Sequence, residues 1–138
     1  MPFPKVMNKG LTLTEVLMVV IIIGILTGLA LSDYSRHIEK NKAREAEANL
    51  VVIYNAQKRY KLDNDAYFVC APNCTSAVIN ENLTLNIADT YFNYSIAPYG
   101  TNDSGFIVTA TRRDRDCQGK SMNITDAGGP VQKECTVW

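Results

Sequence analysis

Residues Val16 to Leu31 read VLMVVIIIGILTGLAL, without one charged side chain. Counted back to Leu11, the block is about 21 residues, or roughly 31 Å as a helix, enough to cross the hydrocarbon core of a bilayer. Lipid offers no partners to backbone N–H and C=O groups, so a lone stretch of this kind is expected to fold as a helix. A secretory signal peptide would be shorter and would end at a small-residue cleavage site, but no Ala-x-Ala follows here. Lys5 and Lys9 before the block favour a cytoplasmic N-terminus, a bias that Arg36 and Lys40 beyond it weaken.

Past the block the composition is that of one small domain. The chain has 138 residues, with 14 Lys+Arg against 14 Asp+Glu. A second catalytic domain has no room, and zero net charge gives no global attraction to nucleic acid or an anionic surface. His37 is the only histidine and lies just beyond the apolar block, so a Ser-His-Asp or Cys-His arrangement would have to form at the lipid edge. Asp114, Asp116 and Asp126 have nothing to order them into a hydrolytic pair. Asp63-Asn64-Asp65 lacks the glycine and terminal glutamate of a calcium loop, and reads as helix termination. Arg112-Arg113-Asp114-Arg115-Asp116 alternates in sign, reads as a solvated strand end, and argues against a DNA-phosphate track. Asn73, Asn82, Asn93, Asn102 and Asn123 each begin an N-x-[ST] triplet, as an Asn- and Thr-rich surface produces. The expectation is a protein that is not an enzyme and holds no cofactor and no metal.

Helical spacing continues beyond the block. Ala46, Leu50, Ile53, Gln57 and Tyr60 advance by fours and threes along one face, with Lys42, Arg44, Glu45, Lys58 and Arg59 elsewhere on the surface. One long helix to about Leu62 is predicted, its first half covered by lipid or other subunits and its second half by a sheet of its own chain. From Asp63 to about Thr90 the composition is that of a long surface loop. Phe92 to Ala97 and Gly105 to Thr111 read as an antiparallel hairpin, Lys120 to Thr125 as a third strand, and Val131 to Trp138 as the closing segment. The fold class is α+β: a long N-terminal α-helix packed on a small antiparallel β-sheet. Cys70, Cys74, Cys117 and Cys135 all fall on the extracytoplasmic side, where disulfides persist, and four cysteines allow three pairings. A four-cysteine zinc site is disfavoured, because C-x3-C has no second short pair beside it.

Glu15 contradicts a plain anchor. An ionised carboxylate in an apolar segment costs about 2.5 to 3.5 kcal/mol on insertion scales unless it is paired or sits at the headgroup level by the helix start. Lys9-Gly10, then Leu11-Thr12-Leu13-Thr14-Glu15, then the apolar run with Gly24-Ile25-Leu26 and Tyr34, resembles the N-terminal signature of type IV pilins and pseudopilins. Arg59 to Phe68 also resembles the end of the long helix in that family. The resemblance implies a prepilin peptidase that cuts after Gly10 and methylates the new amine of Leu11. It further implies that Glu15 meets the Leu11 amine of a neighbouring subunit and so sets register in a helical homo-oligomeric filament. An assembly ATPase and a platform membrane protein are implied as partners. Leu11 stands where Phe is usual and Ser32 where many members carry proline, which would leave helix softening to Gly24 and Gly28, each about 1 kcal/mol worse than Ala in a helix.

Cys117 with Cys135 resembles the C-terminal disulfide loop of many pilins, closing roughly 19 residues for about 3 kcal/mol of loop entropy. Cys70 with Cys74 is the accompanying pair. The expected division is a cleaved leader at 1–10, a transmembrane and assembly segment at 11–32, an amphipathic helical segment at 33–63, an αβ-loop at 64–91, and a sheet with the disulfide loop at 92–138. The expected function is that of a structural subunit of a type IV pilus, held in the inner membrane as a single-pass precursor before assembly into an extracellular filament. The alternatives are a minor pilin, a type II secretion pseudopilin in the periplasm, or a membrane-anchored binding domain that does not assemble.

Overall fold

The computed structural model describes residues 10–88, 90–101, 104–114 and 117–138, with only the backbone described at 30–33. The leader residues 1–9 with Lys5 and Lys9, the turn residues Asn102 and Asp103, and Arg115 and Asp116 lie outside them. Helix α1 runs Leu13–Asn64, followed by α2 (Ser76–Leu83) and strands β1 (Phe92–Tyr99), β2 (Gly105–Arg112), β3 (Ser121–Thr125) and β4 (Gln132–Lys133). Two compact units divide the chain, Met1–His37 and Ile38–Trp138.

In the first unit the apolar side chains of α1 have no cover. From Val16 to Leu29 the large hydrophobic residues are all exposed, and the helix there is long and apolar enough to cross a membrane. Helical hydrogen bonds satisfy the backbone, and the hydroxyl of Thr27 donates to the Ile23 carbonyl at 2.7 Å. Gly24 and Gly28 are both helical, and a Cβ at either position would meet nothing within 4 Å.

The second unit is an antiparallel meander in the order β1-β2-β3-β4, covered on one face by the later part of α1. The period of two along each strand and the register between them produce rows on the covered face. Tyr94 lies beside Ala110 and Ala110 beside Met122; Ile96 lies beside Val108 and Val108 beside Ile124. Against these rows α1 sets Ala43, Ala46, Leu50 and Ile53, which keep the spacing of one helix face. Leu50 and Ile53 are fully buried, each worth about 1.5 to 3 kcal/mol by transfer from water. Helix α1 ends where Asp65 takes a left-handed conformation (φ 56°), which Asp tolerates better than most residues.

The segment expected to be a plain loop contains α2. Thr75 caps it by accepting the Val78 N–H, and Thr84 ends it with φ 54°. Eight residues are too short for helical periodicity to stand out, but Ile79, Leu83 and Ile87 reach the core. The Asn80 side-chain amide then clasps Ile87, donating to its carbonyl at 3.0 Å and accepting its N–H at 2.9 Å.

Candidate functional site

Three places carry candidate function: the start of α1, the join between α1 and the sheet, and the two cysteine loops. At the first, Gly10 and Leu11 are exposed and precede the helix, and a Cβ on Gly10 would meet nothing within 4 Å. Thr12 sits at the N-cap: its hydroxyl accepts the Glu15 N–H at 3.3 Å, and its carbonyl accepts the Glu15 and Val16 N–H groups at 3.1 and 3.2 Å. Glu15 lies in the first turn, where the helix dipole favours a carboxylate. Thr12-Leu13-Thr14-Glu15 is therefore laid out as a capping box, Thr at the cap and Glu three residues on. That spacing is visible in the sequence. Among the described residues Glu15 makes no ion pair.

At the second place the structure corrects the solvated strand end. Phe106, Val108, Ala110 and Arg112 alternate onto the covered face of β2, so Arg112 points inward and is only 2% exposed. Its Nη2 donates to both carboxylate oxygens of Glu39, at 3.0 and 2.9 Å, and its Nη1 donates to the Tyr91 carbonyl at 3.1 Å. Glu39, itself 5% exposed, also accepts from Lys42, whose Nζ stands 4.4 Å from the centroid of the Tyr91 ring. The guanidinium lies near the rings of Phe92 and Tyr91. A buried charge survives only where it is paired and hydrogen-bonded, and here both terminal nitrogens of Arg112 are bonded across the helix–sheet join, although its Nε is buried without a hydrogen bond. The sequence signal was a charge at the fourth inward position of an alternating strand.

Two more side chains lock the same join. Gln57, fully buried, donates to the Phe68 carbonyl at 2.7 Å and accepts the Phe68 N–H at 3.0 Å, as a neighbouring strand would. Lys58 donates to the Asp126 carbonyl at 2.7 Å and to the Tyr67 hydroxyl at 3.3 Å, with its Nζ 5.3 to 5.8 Å from the ring centroids of Tyr54, Tyr67 and Phe106. Gly128 beside them needs its freedom: its φ is +74°, and a Cβ there would stand 3.1 Å from the Tyr54 hydroxyl.

The third place holds the cysteines. The structure joins Cys70 to Cys74 and Cys117 to Cys135. The first loop covers the open edge of β1 at Ile96, whose carbonyl accepts the Cys70 and Ala71 N–H groups at 3.1 Å and whose N–H points to Cys74 Sγ at 3.2 Å. The second encloses β3 and β4. Its end is held by Glu134, whose carboxylate accepts the Ser121 N–H at 2.8 Å, and that hydrogen bond holds the carboxyl below the ordinary glutamate range. No cluster of metal-binding side chains occurs among the described residues.

The sequence model of the type IV minor pilin ComP, DNA uptake sequence receptor, matches residues 32–128, about seven-tenths of the chain. The chain belongs to this family of type IV pilins. Type IV major pilin protein PilA of Myxococcus xanthus is 40% identical over 60 residues, which cover 44% of this pilin and 27% of that protein. Type II secretion system core protein G of Aeromonas hydrophila is 38% identical over 60 residues, 44% of this pilin and 42% of that protein. Core protein G of Vibrio cholerae is 40% identical over 65 residues, 46% of this pilin and 44% of that protein. The pilin thus matches less than half the length of these curated relatives. No solved structure matches it significantly.

Proposed function

We propose that the pilin is a filament subunit of a type IV pilus, held in the inner membrane by the first part of α1 with its N-terminus cytoplasmic. A prepilin peptidase removes residues 1–10 by cutting after Gly10 and methylates the amine of Leu11. In the filament, that amine pairs with Glu15 of a neighbouring subunit, while an assembly ATPase and its platform move the chain out of the lipid. The role is structural and not catalytic. One observation carries it: an apolar helical surface with no cover of its own, from Val16 to Leu29, that begins one turn after an exposed Gly10-Leu11. Lipid satisfies that surface in the free subunit and other helices satisfy it in a filament, so the exchange between them is close to balanced. The likeness to core protein G supports a secretion pseudopilus as the alternative.

Intact mass spectrometry of filaments sheared from cells tests the proposal. The expected species begins at Leu11, carries about 14 Da for one methyl group and lacks about 4 Da for two disulfides. Recovery of the processed chain only from membranes would favour the pseudopilus, and an uncleaved chain there would overturn the proposal.

The family's description favours a second reading, a minor pilin that grips DNA. Arg112 is withdrawn from such a surface; among the described residues Arg113 and Lys120 are exposed nearby, and Lys133 is paired with Glu47 at 2.7 Å. Duplex binding that weakens steeply between about 50 and 200 mM salt would support it, and salt-independent absence of binding would remove it.

A further inference from the structure

Lys40 and Arg44 stand one turn apart on α1, both exposed, and among the described residues neither makes an ion pair. With Ala43, Glu47, Lys133 and Trp138 they line a groove of about 280 Å³. Glu47 is the one acidic residue of that lining, and Lys133 neutralises it at 2.7 Å, so two positive charges are left over. Trp138 adds a further donor: its indole N–H is buried and makes no hydrogen bond. The Phe92 ring backs the indole, with the centroids 5.6 Å apart. Two uncompensated cations, an unused N–H and apolar cover from Ala43 and the indole suit a phosphate carried on an apolar stem.

The place of the groove in the chain distinguishes among phosphates. Lys40 and Arg44 come nine and thirteen residues after Leu31, the end of the apolar block. Basic residues this close to a spanning segment favour the cytoplasmic side. On the far side, where the proposed topology puts them, they need a compensating anion, and the phosphates of the lipid surface are the anions that a membrane supplies. Tryptophan suits the same layer, because one end of its indole is apolar and the other can be wet. We infer that this groove binds the headgroup phosphate of an anionic lipid in the extracytoplasmic leaflet, and so seats the stored subunit against the membrane. Passage into a filament gives up that contact together with the lipid around the apolar block. The inference rests on the membrane-held subunit of the proposed function and names what its head grips there.

Trp138 is the only tryptophan, so its fluorescence reads the groove. The full chain in neutral detergent is titrated with dioctanoyl phosphatidylglycerol and, in parallel, with dioctanoyl phosphatidylcholine, inorganic phosphate and a DNA duplex, with bound molecules counted by native mass spectrometry. Phosphatidylglycerol should bind at least tenfold more tightly than the other three. Lys40→Gln combined with Arg44→Gln should weaken it about thirtyfold, each basic residue near an anionic surface being worth about fivefold. Both positions are exposed and helical, where Gln is well tolerated. Lys61→Gln, which removes an exposed cation elsewhere on α1, should leave the affinity within about twofold. Equal binding of inorganic phosphate would make the groove a free-anion site, tighter binding of the duplex would assign it to DNA, and an unchanged affinity in the double variant would place the lipid elsewhere. Each of these overturns the inference and leaves membrane storage standing. A full chain that fails to insert into vesicles of phosphatidylcholine and phosphatidylglycerol would overturn both.

Discussion

Arg112 shows how one residue can reverse the sense of a sequence pattern. Within Arg112-Arg113-Asp114-Arg115-Asp116 it looks like one of several solvated charges, but strand alternation turns it inward, and the buried Glu39 carboxylate meets it. Glu39→Gln keeps the shape and removes the counter-charge, leaving a guanidinium buried without its partner. We expect the detergent-solubilised full chain to lose about 3 to 5 kcal/mol in guanidinium unfolding followed by near-UV circular dichroism. Glu39→Gln combined with Arg112→Met should recover part of the loss, because the unpaired charge is then gone. A single-variant loss below about 1 kcal/mol would mean that water reaches the pair and screens it.

Among the elements, the helix and the first three strands were legible because each buries one face, and burial of one face leaves a period in the sequence. The hairpin expected at Phe92 to Ala97 and Gly105 to Thr111 appears as Phe92–Tyr99 and Gly105–Arg112, extended at its ends by register. Short α2 and two-residue β4 were not legible: neither is long enough to show a period, and both form because the core and β3 offer them partners. The Cys117–Cys135 loop also gives the clearest pH response. The Ser121 N–H holds the Glu134 carboxyl below the ordinary glutamate range, so the loop's extra stability is present above that range and is lost as pH falls through the lowered value. The protection of the Ser121 amide, taken relative to its intrinsic exchange rate at each pH, should fall as the solution is acidified past it, and Glu134→Gln should flatten that dependence. An unchanged profile in the variant would assign the acid sensitivity to another group.

For the whole molecule, a single substitution separates the proposed pairing of Glu15 from its place beside the Thr12 cap. At the third helical position after the Thr12 cap its carboxylate meets the favourable end of the helix dipole, an effect of about 0.3 to 1 kcal/mol, and under the proposed function the same anion would partner the Leu11 amine of a neighbour. Glu15→Gln keeps the cap and loses the charge. We expect it to be cleaved and membrane-bound like the unsubstituted chain, with filament yield down at least tenfold, as for Glu15→Ala. Normal filaments from Glu15→Gln together with few from Glu15→Ala would shift the role of this residue from pairing to capping. By itself the sequence determined the long helix, its apolar block, the α+β class and the pilin likeness, since these follow from charge-free length, periodicity and a contiguous motif. Only the tertiary structure decided that Arg112 is buried on Glu39 and that Gln57 clasps Phe68. Each of these depends on which distant residues share a face, and the order of residues along the chain does not record that.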